Sequence, residues 1–333
     1  MKTAAETVFC NAAGNYPTGL MKPSSFFRST VHNRGVTVPF FHKIFRAGAA
    51  KSAIAVFSLL LFGLLSLTQQ ASAQIWPRES RTTYLRLGVH GFDTDAYFNA
   101  DGEKIPLHRL EAQTYSLYSE YGYSRYVTAV VNVPAYRKLL VQETAGMDAV
   151  QVESPGDIDL GLRISIYAGR HDIMFLSGVF GIPLGETANT GGLWSGDDEY
   201  DQLAMVGYAH AFASLNSSVS LAGGYHFRSG GYSDAMRIDA AADIHPIAPV
   251  QLLLRFRSVT PQGNGARDFT GGSYGFAANN REYIMLGADL TFWITGGFGL
   301  HGSLHSYHSA KNVSADMMFS TGIVFQFRPT AVR

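Results

Sequence analysis

Apolar and polar residues alternate strictly over many stretches of this chain. Asp157 to Ile166 reads DIDLGLRISI: Ile158, Leu160, Leu162, Ile164 and Ile166 fall on one side, Asp157, Asp159, Gly161, Arg163 and Ser165 on the other. Side chains repeat every second residue in a strand, whereas a helix would scatter those apolar positions around its circumference. The same period sets Met236, Ile238, Ala240, Ala242 and Ile244 against Arg237, Asp239, Ala241, Asp243 and His245. It sets Leu252, Leu254 and Phe256 against Gln251, Arg255 and Arg257, and Phe319, Thr321, Ile323, Phe325 and Phe327 against Ser320, Gly322 and Gln326.

The pattern predicts strands near 82–91, 111–121, 125–134, 156–168, 172–184, 199–213, 218–228, 235–245, 250–259, 281–293, 298–307 and 315–327. Connections alternate in length. Those such as Gly169-Arg170-His171 and Pro246 to Pro249 are tight. Others, such as Thr187 to Asp198 and Pro261 to Asn280, are long and rich in Gly, Asn and Asp. Short turns at one rim and long loops at the other point to an all-β fold, a transmembrane antiparallel up-and-down barrel of about twelve strands. An even strand number places both termini at the short-turn rim. A soluble sandwich also alternates, but its Greek-key connections do not produce this loop asymmetry.

One segment departs from the alternation. Ser52 to Leu67 is a continuous apolar run, preceded by Lys43, Arg46 and Lys51 and followed by Ala71-Ser72-Ala73. A basic region, an apolar stretch too short to span a bilayer and a small-x-small site make a secretory signal. We therefore expect an N-terminal extension with cleaved signal at 1–73 and an outer-membrane barrel at 74–333, with cleavage after Ala73. The charge divides there too. Lys2, Lys22, Arg28, Arg34, Lys43, Arg46 and Lys51 face only Glu6 before the cut, so the remainder carries an acidic surplus of about six. That balance excludes a basic nucleic-acid surface. The single cysteine, Cys10, lies before the signal, so the mature chain has neither a disulfide nor a thiol for a metal.

The inward polar set is Arg86, Glu120, Asp157, Asp159, Arg163, Arg237, Asp239, Asp243, Arg255, Arg257, Asp289, His301 and His305. These are the candidate lumen-lining residues of a solute path. Their mixed signs admit two readings: opposite charges that pair and fill the lumen, or rows that line a narrow wet passage. No catalytic residue, metal or cofactor is expected. His301 and His305 share a strand face about 13 Å apart, too far for one ion. Gly297, Gly299 and Gly302 spell a dinucleotide fingerprint on a turn and a strand rather than at a helix start, so they read as turn glycines. Asp197, Asp198, Glu199 and Asp201 beside Trp194 lack the spacing and glycine of a calcium loop and read as a solvated acidic loop. No H-E-x-x-H is present. A membrane-embedded lipid-modifying enzyme remains the alternative to a passive channel or a closed structural barrel.

Met318 to Phe327, MFSTGIVFQF, resembles the aromatic final strand that barrel-assembly machinery reads, here followed by Arg328 to Arg333. The stretch PGDIDLGLRISIY, followed by LSGVFGIPLGE, resembles the outer-membrane barrel family named for the meta-pathway of phenol degradation. Gly156, Asp157, Pro183 and Gly185 carry the resemblance. It implies uptake of small hydrophobic or aromatic molecules, and no catalytic residue carries over. The expected partners are outer-membrane lipids and lipopolysaccharide, the assembly machinery and a small-molecule solute.

Overall fold

A computed structural model describes residues 77–142, 149–187, 192–272 and 277–328. The extension and the signal segment lie outside them. The chain runs β1 (Thr83–Phe98), β2 (Lys104–Gly122), β3 (Val127–Val141), β4 (Val150–Ser154), β5 (Ile158–Ala168), β6 (Asp172–Ile182) and β7 (Asp201–Phe212). It continues β8 (Ser217–Phe227), β9 (Ala235–Ile247), β10 (Val250–Pro261), β11 (Glu282–Thr295), β12 (Phe298–Lys311), β13 (Val313–Ser314) and β14 (Met318–Phe327). Neighbours pair antiparallel, and β1 pairs with both β2 and β14, which closes the ring. β4 pairs only with the outer end of β3, and β13 with the tip of β1. Twelve of the fourteen strands therefore form the wall. The five tight turns lie at the rim where β1 begins and β14 ends, as the loop lengths predict.

Two solvents explain the wall. Leu160, Leu162, Ile164 and Ile166 of β5 are exposed on the outside, as are Leu221 of β8, Leu254 of β10, Leu290 and Ile294 of β11 and Phe319 of β14. Burying such a side chain is worth roughly 1.5–3 kcal/mol, so a continuous belt of them in water would be strongly unfavourable. In hydrocarbon it is favourable, and a closed ladder leaves no strand edge unpaired there.

β1, β2 and β3 extend further than predicted, to 16, 19 and 15 residues. A tilted membrane strand needs only about 9–11. The excess lies beyond the lipid, where the pattern inverts. Asp93 and Asp95 of β1 and Arg109 of β2 now face outward into water, and Arg109 pairs with Asp93. Phe92, Leu110, Ala112, Leu139, Val141 and Val152 face inward, where they form a buried core with Leu193 from the β6–β7 connection. The barrel thus carries a small water-soluble cap whose interior is apolar.

Candidate functional site

The lumen has three zones. At the short-turn end, the segment before β1 folds inward. Arg78 Nε donates to Glu120 Oε2 at 2.5 Å, with side chains 3% and 0% exposed. Tyr118 Oη donates to Glu120 Oε1 at 2.6 Å, and the guanidinium lies 4.6 Å from the centre of the Tyr84 ring. Tyr84, Trp293 and Val324 form an apolar cluster beside it. This end is filled.

The middle zone is polar. Arg237 and Arg257 both grip Asp239, at 2.6 and 2.9 Å. Arg255 and His305 share Asp289, at 2.7 and 2.8 Å. Arg86 Nη1 lies 3.2 Å from His301 Nε2, whose ring partner on the other side is Thr291. Asn132 donates to Asp159 at 2.9 Å, Gln251 and His245 hold Asp243, and Arg163 lies over the Phe175 ring. These candidate residues meet in pairs rather than in rows. Pairing does not fill the space. Arg237, Asp239, Arg255 and Arg257 keep 22–30% of their side chains exposed, although they point away from the outside of the barrel.

The third zone is the cap, and Asp157 belongs to it rather than to the wall. It precedes β5, and its carboxylate accepts the N–H of Leu184, Gly185 and Asp197 at 2.9–3.0 Å. The β6–β7 connection is thereby drawn across the mouth. Gly196 packs so closely on that carboxylate that a Cβ would collide with it, and a Cβ on Gly185 would strike the backbone of Gly196. Arg137 donates to the Ser195 carbonyl and Ser154 bonds Ser195. Trp194 meets Phe269 of the β10–β11 connection at 6.2 Å, and Phe269 stands edge-on to Tyr232 at 4.8 Å. The residues that carry the family resemblance thus meet physically: Asp157 anchors the segment that Pro183 and Gly185 begin.

The acidic cluster differs from the solvated loop expected of it. Asp197, Glu199 and Asp201 bring oxygens within 4.8 Å of one another, and Glu199 is fully buried. Arg228 pairs with both Asp197 and Glu199, and His226 lies 3.0 Å from Asp201. Arg228 follows Asp197 by 31 residues, so no local pattern announces the pair. Burial raises the Glu199 carboxyl to about 8 and Asp197 to about 6; Arg228 opposes the rise, and for Asp197 the charges of Asp157 and Asp201 add to it. Both values lie above those of a hydrated carboxyl, so the closed loop binds more protons than an open one. Closure is therefore strongest below about pH 4 and weakens as the pH climbs to about 8, by at most about tenfold in closed-to-open ratio per pH unit for each proton released. Protection factors of residues 192–199, which divide out the base catalysis of amide exchange itself, will be lower at pH 8.5 than at pH 6, and Glu199→Gln will flatten that dependence. Equal protection at both pH values in the wild type would refute it.

No family model matches the chain, and no curated protein matches it. Solved structures do. An outer-membrane channel from Pseudomonas putida F1 aligns with a TM-score of 0.58 at 12% identity, covering 77% of this chain and 99% of that one. The NanC porin aligns at 0.46 and 10% identity over 72% and 98% of the two chains. The toluene transporter TbuX of Ralstonia pickettii aligns at 0.38 and 12% over 76% and 90%. The first of these, with the closed ladder and the outward apolar belt, shows the fold: the chain is a twelve-stranded β-barrel of the outer-membrane type.

Proposed function

We propose that this protein is an outer-membrane channel that passes small solutes passively, its outer mouth covered by a reversible cap. The observation that carries this reading is the middle zone, where four charged side chains stay partly open to space inside a barrel whose outside is apolar. A barrel built only for rigidity gains nothing from solvated arginines within it. Beside its apolar core, the cap is held by hydrogen bonds to Asp157 and ion pairs to Arg228 that can exchange with water. The signal-like pattern of residues 52–73 supports delivery to the outer membrane, and the resemblance to the meta-pathway barrels supports a hydrophobic or aromatic cargo. The outward-facing His210 and Tyr208 both bond the Asp172 carboxylate, and among the described residues no hydroxyl is hydrogen-bonded to the His210 ring, which favours a channel over a lipid-modifying enzyme.

Planar bilayers at pH 8.5, where the cap is weakest, test the reading. Purified protein will show discrete conductance steps or solute flux. Arg255→Ala and Arg257→Ala will reduce flux without unfolding the barrel, because His305 remains on Asp289 and Arg237 on Asp239. An electrically silent barrel with no flux at that pH would establish the structural reading instead.

A further inference from the structure

A cavity of 240 Å³ lies between the cap and the wall. Its wall side is Phe92 of β1, Tyr307 of β12 and Met318 at the start of β14; its cap side includes Gly196 and Arg281. Tyr307 Oη reaches the Met318 sulfur at 3.8 Å, so these two side chains form one continuous face. That face is flat, aromatic and soft, suited to an apolar body.

The polar lining is unequal. Asp157 is occupied by three backbone N–H groups and Asp197 by Arg228. Arg137 donates to Thr114 Oγ1 and to the Ser195 carbonyl, both uncharged. Arg281 differs: its guanidinium hydrogen-bonds the Tyr307 hydroxyl and lies 5.5 Å from the centre of the Tyr283 ring, and among the described residues no carboxylate forms an ion pair with it. A guanidinium does not deprotonate, so it keeps its charge and its donors at any working pH. A cation lining a cavity without a counter-ion favours an anionic acceptor, which would add a charge-assisted bond.

Size narrows the choice. An apolar cavity of about 150 Å³ accommodates benzene, whereas drug-sized ligands need roughly 300–1,000 Å³. The space here admits one ring and one small anionic group. We infer that this cavity is a binding station for a one-ring carboxylate, with the ring on Phe92, Tyr307 and Met318 and the carboxylate on Arg281. The inference rests on the channel reading, since a station under the cap serves a solute entering from outside.

The test uses the full protein in detergent, titrated calorimetrically with benzoate, with its neutral counterpart benzyl alcohol and with acetate. Benzoate will saturate, while acetate will bind at least tenfold more weakly for want of the ring. Arg281→Gln will weaken benzoate tenfold or more and leave benzyl alcohol unchanged. Phe92→Ala will weaken both ring compounds. Heat-modifiable gel mobility checks that each variant remains a folded barrel. The site is overturned if benzoate fails to saturate, if Arg281→Gln weakens benzoate and benzyl alcohol equally, or if acetate matches benzoate. Bilayer conductance is measured on the same preparations. Conductance without Arg281-dependent binding removes the station and keeps the channel, whereas binding without conductance removes the channel.

Discussion

Replacing Asp157 by alanine will raise the conductance of the barrel several-fold. One carboxylate accepts three backbone N–H groups from the β6–β7 connection, and each hydrogen bond to a charged acceptor is worth about 1.5–3 kcal/mol. Alanine leaves those donors without an acceptor in a confined site, and the cheapest remedy is for the segment to leave and bind water. Leu193 and Trp194 then lose their positions over the mouth. The wall is untouched, because Asp157 precedes β5 and takes no part in the ladder. The thermal midpoint will therefore move little while conductance rises. Asparagine gives the control. Its oxygen can still accept from Leu184 and Gly185, but its NH2 group would face the N–H of Asp197, so Asp157→Asn will fall between wild type and alanine. Unchanged conductance in Asp157→Ala would mean that the β6–β7 segment does not limit the path.

The parts of this fold visible in the sequence are those in contact with lipid. On β5, β9, β10 and β14 the outward face must be apolar and the inward face is polar, so the alternation survives and the strands can be read. Where β1, β2 and β3 rise above the membrane, the two faces exchange solvents. Asp93 and Arg109 turn outward while Phe92 and Leu110 turn inward. A search for outward apolar residues stops there, which is why those ends escaped. The charged lumen residues were visible for the same reason, but their partners were not. Arg255 and Asp289 are 34 positions apart, and adjacent strands align them only once the register is known. Arg78 lies in a connecting segment without periodicity, so nothing local marked it as interior, and Arg228 and Arg281 stand at the limits of the predicted strands 218–228 and 281–293, where alternation names no partner. The acidic run looked solvated because its neutralising guanidinium comes from another loop. The one signal available beforehand was the Gly-Asp and Pro-Leu-Gly pairing of the family resemblance, whose physical content is the Asp157 anchor.

The largest stability loss is expected at the opposite end of the lumen, from Glu120→Ala. Arg78 and Glu120 are both buried, and Arg78 cannot shed its proton. Removing the carboxylate leaves a buried cation against the Tyr84 ring with no carboxylate partner among the described residues. Breaking a buried pair from one side typically costs about 3–5 kcal/mol. The backbone N–H of Arg78 still bonds Thr128 Oγ1 at 2.9 Å, so the segment has one reason to stay and its charged side chain a strong reason to leave. The midpoint of heat modifiability will fall, and protease will reach the N-terminal segment from the short-turn side. The double variant Arg78→Met, Glu120→Leu separates charge from position. Apolar side chains of similar volume avoid both desolvation penalties and can be neutral or better. Recovery in that variant would show that the pair's net contribution to stability is small and that the damage in Glu120→Ala comes from the stranded guanidinium. Failure to recover would mean that the ion pair itself holds the segment in the lumen. A Glu120→Ala barrel as stable as the wild type would contradict the burial on which both arguments stand.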